Sequence, residues 1–498
     1  MPYHDMRAYL NRLEELGEYK DLDVPLRCDR EGTELQALMR HLHNIDGPAV
    51  KLNNLQGYNT PDVPVVFNPY GTRHRTALSI EVDDPLEAKL KLARILGDRN
   101  SWQKPRMVGA SDAPCKDVII KEADVSLGEQ VPHVWFGKEG PAYITSGVAI
   151  TKDPDNGERN VGWYRHTQLH NAWHPDGGSY SAKRQKRDLA VFGYWNPPMN
   201  HIGLHIAKAW GQGQPLEVAI AICCDPAVHV ASATGLPYGL DEYDFAGGLR
   251  GSPVELTKCE TVDLEVPATS EWVLEGVMLP GEEEAIGWHS NPVGYYDKVQ
   301  TFPIMQVNCI THRKNPLWHS TMEMVPPFDH NYIAILPVEG EVLSDLQHKI
   351  PEVTDVVVTP NMMYVVQLNV DGASKPHPEF GKYVLHAVWG AAGRWGRTAK
   401  MVVVVGPDVD PYDLGQIEWA IMSRVQPKSD IIINASGQAF VLDPSAPKSA
   451  QGVPTQSEQM GIDATIKIPE RFNDYPEVSN ADPADVAALA AKLKGALR

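Results

Sequence analysis

The sequence predicts a mixed α/β (α+β) protein, with an N-terminal α/β domain over 1–110, a central β-rich domain over 111–325 and a C-terminal α/β domain over 326–498. Three observations carry this reading. Helical apolar spacing with one short β run fills the first unit. Short β-rich runs parted by turn residues dominate from Val118 to Thr311. Beyond Asn331, strands and helices alternate again. A length of 498 residues agrees, since domains of ~100–200 residues predict about two to four of them.

In the first unit, Met6 to Leu16 has helical apolar spacing and ends near Gly17. Pro64 to Phe67 reads as a short strand. Leu86 to Leu96 alternates Leu/Ala with Lys/Arg at helical period and stops at Gly97. The Pro- and Lys-containing stretch Gln103 to Pro114 reads as a boundary. The central unit offers strands at Tyr143–Thr151, Leu216–Cys224, Trp272–Val277 and Phe302–Thr311, which suggest a barrel-like or sandwich core. Within it, Asn171 to Met199 is polar and basic, and its Lys183–Arg187 run reads most simply as a solvated loop. In the last unit the strands are Val356–Thr359, Tyr364–Leu368 and Met401–Val405. The third is too apolar for an exposed edge. It runs into an acidic loop, Gly406 to Asp410, and a helix at Tyr412–Ser423, the order of a doubly wound unit. Asp482-Pro483 caps a final amphipathic helix, Ala484 to Leu497.

Lys and Arg number 45 against 64 Asp and Glu, a net charge of −19. That excess argues against nucleic acid or an anionic membrane as a partner. No window is apolar for long enough to span a bilayer. Met1-Pro2-Tyr3-His4-Asp5 lacks the basic and apolar regions of a secretory signal. The six cysteines form no CxxC pair, and their scatter suits a reducing cytosol, so a cytoplasmic protein is expected.

Several segments could carry chemistry. Asn160-Val-Gly-Trp-Tyr-Arg165 follows a strand and a turn. Its Asn offers an amide oxygen to a hard cation, and its Arg a planar fork to a carboxylate or phosphate. The plain alternative is a strand with a polar edge. Asn200-His201-Ile-Gly203 precedes the helix-like Leu204–Trp210, and a neutral imidazole at His201 suits Mn or Zn, or is merely structural. Leu236 to Gly247 is turn-rich and acidic, and a carboxylate there could complete a mixed N/O site. The spacings, 41 residues from Asn160 to His201 and 41 from His201 to Glu242, carry no local geometry. His166, His170 and His174 have a helical zinc spacing, but the flanking Trp173 to Gly178 argues for a loop. Gly390 to Gly396 is Gly-rich without matching a phosphate fingerprint.

Together these words resemble the UbiD family of reversible decarboxylases, which use prenylated FMN. The resemblance rests on Asn160–Arg165, Asn200–Gly203 and Leu236–Glu242. It extends to Val266–Gly276, Gly294-Tyr295-Tyr296 and Asp408–Asp413, and so runs over nearly the whole chain. It implies a split β-barrel flavin-binding domain in the centre and a C-terminal domain that helps form a homodimer or homohexamer. It implies that Asn160, His201 and Glu242 hold a divalent metal, Mn²⁺, that bridges the flavin phosphate, with K⁺ nearby. Trp163, Tyr164, Arg165, Asn200, Ile202, Gly203, Ser232 and Lys400 would line the cofactor, and a flavin prenyltransferase would supply it. Arg165 would also orient the substrate carboxylate.

The chain departs from the family at one point. The family completes a Glu-Arg-Glu set before its Gly-Tyr, and the two acidic positions fall on Ile286 and Asn291. An amide cannot protonate carbon. His289 is the nearest titratable substitute and Glu284 a second, unless His289 is a plain surface histidine. His330, in Pro326-Pro-Phe-Asp-His330, matches the histidine that phenol-type members place in the substrate pocket. Asn361 and Phe440 stand where those members carry Lys and His. A substrate without a catechol pattern is therefore expected, with Met362, Met363 and Phe440 lining an apolar pocket or simply core. The expected activity is decarboxylation of a small aromatic, heteroaromatic or α,β-unsaturated acid. The alternatives are an aryl-CoA thioester substrate, met by the basic run, a non-catalytic subunit of a carboxylase, and a plain Mn hydrolase.

Overall fold

The computed structural model describes residues 3–29, 34–137, 139, 142–169, 184–193, 200–297, 299–390, 394–440, 442–448, 454–467, 475–479, 481 and 483–493. Its class is the mixed α/β class expected from the sequence. In the first unit a four-stranded sheet runs Tyr19–Leu22, Ala49–Leu52, Val65–Phe67, Trp318–His319. The fourth strand arrives from the end of the central unit and pairs with Val65 and Val66. Around the sheet stand helices Met6–Glu15, Glu34–Asn44, Arg73–Leu78 and Pro85–Gly97. Asp5 opens the first by accepting from Ala8 N at 2.9 Å, and Asp84 with Pro85 opens the last.

Barrel or sandwich resolves to a barrel. Six antiparallel strands run in the order Asp188–Val191, Arg159–Gln168, Ile144–Lys152, Leu216–Ile222, Trp272–Ile286 and Gln300–His312. The last pairs back onto the first through Asp188↔Gln306 to Ala190↔Ile304. Closure leaves the ring no free edge. The longest pair bends at a register shift beside Gly276, where a Cβ would lie 2.0 Å from Gln306 O. Only glycine allows that approach. Helices His201–Gly211, Pro226–Ala233 and Glu242–Arg250 follow the barrel strands. The first begins three residues earlier than its apolar spacing indicates, because Asn200 caps it.

The C-terminal sheet runs Val353–Val358, Met363–Leu368, Met401–Val405, Gln456–Asp463, Ile431–Gln438. Its centre is parallel and both edges are antiparallel, so it is mixed rather than uniformly wound. Apolar cores cover both faces, as the Val402–Val405 run requires. Helix Asp329–Gln347 connects barrel to sheet. All six cysteines are free thiols, and no described helix is long and apolar enough to cross a membrane.

Candidate active site

Alternation along Arg159–Gln168 puts Trp163 and Arg165 on one face of a barrel strand. Arg165 is the hub. Its Nη2 stands 3.0 Å from Glu323 Oε2, its Nη1 donates to the carbonyl of Ser290, and its guanidinium lies 5.8 Å from the Phe192 ring centroid. Trp163 Nε1 donates to Thr145 O at 2.8 Å, and its ring stacks on His330 at 5.1 Å and 19°. Tyr164 covers Gly162, where a Cβ would meet the phenol ring at 2.5 Å. The polar-edge alternative for this strand fails, since Asn160 is buried and Arg165 is drawn inward onto partners.

A second cluster gathers at the other end of the same strand. Asn160 is buried, and its Nδ2 has no partner. It pairs across the sheet with Thr151, whose hydroxyl sits 2.8 Å from His205 Nδ1. His201 is one helical turn before His205, on the same helix face. Glu242, the first residue of its helix, accepts from Val161 N at 2.8 Å, next to Asn160. Burial pushes its carboxyl up to about 8, the mark of a buried acid short of positive charge. Tyr238 packs edge-on to His201 at 5.2 Å and donates to Asp153. A buried carboxyl raised by burial, with the amide oxygen of Asn160 and the imidazole of His201 as candidate neutral donors, is a donor set that suits a hard or borderline cation. Asn200 Oδ1 accepts from Gly203 N at 2.9 Å, and Ile202 and Gly203 are buried in the first helical turn. Such a turn favours an anion such as a phosphate.

The segment before Gly294 behaves differently from its expected acid role. Ile286 is core, grouped with Tyr143, Phe192 and Phe302. Asn291 is buried and holds the loop: its Oδ1 accepts from Val293 N at 3.2 Å and Tyr295 N at 3.0 Å, and its Nδ2 donates to Asp297 at 3.2 Å. His289 is no surface histidine. It is fully buried against Phe192, Tyr143 and Phe302, and burial, then the nearby Arg165, holds its pKa well below the usual range. It is therefore an uncharged ring and a poor acid. Glu284 stands 3.0 Å from Arg184 Nε.

Other carboxyls gather near Arg165 instead. Glu139 accepts from Ser290 N at 3.0 Å and from Ser290 Oγ, and burial lifts it to about 7. Asp297 lies beside Asn291 and 3.5 Å from His289 Nε2. Glu323 completes the set and stands 3.0 Å from His330 Nδ1. Sequence reasoning missed all three. The signal for Glu323 was there: a lone charge inside Thr321-Met-Glu-Met-Val325 is a buried charge in need of a partner.

The remaining expected residues are less central. Ser232 is buried, and its hydroxyl donates to His229 O at 2.8 Å inside its own helix. Lys400 bonds Asp443 at 2.8 Å and Ser445 at 2.6 Å within the C-terminal domain. Asn361 is exposed in the turn between two sheet strands, and Met362 is in the left-handed region. Of the spaced histidines, His166 is a buried strand residue, while His170 and His174 lie outside the described residues. So do Lys183 and positions 391–393. Among the described residues no cluster of three His, Cys, Asp or Glu forms a metal site.

Three family models match in succession. The N-terminal domain of 3-octaprenyl-4-hydroxybenzoate carboxy-lyase (UbiD) covers residues 10–95, its Rift-related domain 106–326 and its C-terminal domain 331–464. Among solved structures, the UbiD-class enzyme HmfF from Pelotomaculum thermopropionicum, in complex with FMN, is 29% identical over 97% of this chain and 100% of its own, with a TM-score of 0.81. An evolved dimeric form of HmfF in complex with prenylated FMN is 28% identical over 97% and 99%, with a TM-score of 0.77. Vanillic acid decarboxylase from Sedimentibacter hydroxybenzoicus, in its open form, is 26% identical over 100% of both chains, with a TM-score of 0.80.

Proposed function

The chain belongs to the UbiD family of carboxy-lyases, and on that footing we propose that it reversibly decarboxylates an aromatic, heteroaromatic or α,β-unsaturated acid without a catechol pattern, using prenylated FMN and a divalent metal. The observation that carries this is Arg165, a guanidinium fixed by Glu323 and the Ser290 carbonyl beside the Trp163–His330 stack. The FMN complex of HmfF and the prenylated-FMN complex of its dimeric form support the cofactor.

Prenylated FMN, when bound, supplies an electrophilic carbon and a sink for the electron pair that departing CO₂ leaves behind. The protein supplies the rest. Arg165 offers its fork to the substrate carboxylate and sets its orientation. Phe192 and Trp163 wall the same place with apolar surface, which weakens the hydration of a carboxylate held there. The first turn after Asn200 would offer its N–H groups to the flavin phosphate. Asn160, His201 and Glu242 would hold Mn²⁺, which lets a phosphate lie beside the Glu242 carboxylate, with K⁺ nearby. A flavin prenyltransferase would supply the cofactor, and the assembly would be a homodimer or homohexamer. The sequence supports a substrate without a catechol pattern, since Asn361 and Phe440 stand where phenol-type members carry Lys and His. The basic run supports a thioester substrate less than its composition indicates, because Arg184 is buried in ion pairs with Glu282 and Glu284.

The test is co-expression with a flavin prenyltransferase, followed by a visible spectrum, mass spectrometry and metal analysis. Bound prenylated FMN with Mn, and CO₂ released from a free acid, are expected. A flavin-free chain would sink the reading and favour the hydrolase. A loaded chain inert on free acids and thioesters alike would favour the non-catalytic subunit.

A further inference from the structure

Decarboxylation needs a proton for the carbon that loses CO₂. The expected acids do not provide it: Ile286 is apolar, Asn291 is spent on its loop, His289 is uncharged and Glu284 is tied to Arg184. The structure brings a different pair to Arg165. Glu323 lies in the segment that leads into helix Asp329–Gln347, and His330 is the second residue of that helix. One oxygen of Glu323 lies 3.0 Å from Arg165 Nη2, and the other lies 3.0 Å from His330 Nδ1.

We infer that His330 donates the proton that replaces CO₂, and that Glu323 is its positioning residue. The inference rests on the decarboxylase reading above. The proton must arrive where the carboxylate departs, and Arg165 marks that place. Glu323 ties the two groups together through one carboxylate. With Nδ1–H directed at Glu323, Nε2 is the ring nitrogen left to carry and release a proton. The ring is held rigidly. It is the second residue of its helix, whose start is fixed by Asn331 Oδ1 accepting from Phe328 N at 3.0 Å, and its face rests on Trp163. Its side chain is 23% exposed, so solvent can restore the proton.

The step balances. Loss of CO₂ leaves an electron pair at the carbon. That pair forms a C–H bond with the proton of His330 Nε2. The N–H bond breaks, and its electrons remain on the nitrogen as a lone pair. The imidazole then takes a proton from water. In carboxylation the same nitrogen removes the proton.

Two readouts test this. In the unloaded chain with ¹⁵N-labelled histidine, His330 is identified by the resonances lost in H330Q. A hydrogen-bonded Nδ1 proton in slow exchange with water is expected, and it should vanish in E323Q. In the loaded enzyme, H330Q should keep the flavin spectrum and lower kcat by ~10²–10⁴, the range of general acid catalysis. KM should stay within about threefold, and free imidazole should restore part of the rate. E323D should recover part of what E323Q loses. The inference is overturned if wild-type His330 shows no bonded Nδ1 proton, or if H330Q turns over at the wild-type rate. A loaded wild-type chain that converts no acid brings down the decarboxylase reading and this role together. An unimpaired H330Q beside an active wild type brings down this role alone.

Discussion

Glu139 and Glu242 show how one residue type serves two ends of a strand. Both carboxyls are fully buried and raised by burial, to about 7 and about 8. Glu242 accepts from Val161 N, and burial outweighs the nearby Arg159 and leaves its carboxyl raised, surroundings that a cation would offset. Glu139 has two donors from Ser290, both on Oε1, so a proton can sit on Oε2 with no ion present. This has a measurable consequence. Between its ordinary value of 4.5 and about 7, Glu139 keeps a proton that the unfolded chain releases. Stability from this group is therefore lost as pH rises through that window and is constant above it. The loss is on the order of 3 kcal/mol, at 1.36 kcal/mol per pH unit. Urea unfolding of E139Q should lack that decline between pH 5 and pH 8. An E139Q slope equal to wild type would refute the assignment.

At the scale of elements, two local devices shape the site. Asn200 caps the helix at His201–Gly211, whose first turn is proposed to meet the flavin phosphate. N200A should cost ~1 kcal/mol, as for other lost caps, and should also weaken FMN binding in a titration of the unloaded chain. Loss of stability alone would mean the cap does not face the cofactor. Gly276 sets the bend of the longest barrel strands. A methyl group there meets backbone, not a flexible side chain, so G276A should cost about 1–3 kcal/mol or more, as overpacking does, read as a lower thermal midpoint. Much of this was legible in the sequence. Periodicity located the helices near Met6 and Leu86, and the strands at 144–152, 216–222 and 401–405, to within a few residues. Helix Asp329–Gln347 was not, because Pro337 and a nearly all-round apolar surface hide its face. In the site, the residues of local words were legible: Asn160, Arg165, His201 and Glu242 stand in short motifs. Glu139, Asp297 and Glu323 meet Arg165 only through tertiary contacts from separate segments, so no spacing could reveal them.

Across the whole molecule, the N-terminal and C-terminal units are joined by buried charge. Lys89 is fully buried, bonds Asp355 and donates to Val356 O at 2.9 Å, while Arg73 Nη1 lies 2.6 Å from Glu339. Lys89 also lies 4.9 Å from the Tyr412 ring centroid. K89M leaves Asp355 buried without its cation and should destabilise the chain by roughly 3–5 kcal/mol, seen in denaturant titration. A cost under about 1 kcal/mol, the value of a surface pair, would show that Lys89 adds nothing to the joint beyond what a surface ion pair gives. This rigid frame lets residues of the barrel and of the connecting helix meet at Arg165. The most direct test of the account is isotope exchange in the loaded enzyme: ¹³C-bicarbonate supplied with a panel of aromatic, heteroaromatic and α,β-unsaturated acids. Label in the carboxyl group of at least one acid is expected, and none with R165Q. A fully loaded wild-type protein that leaves every acid unlabelled would contradict it.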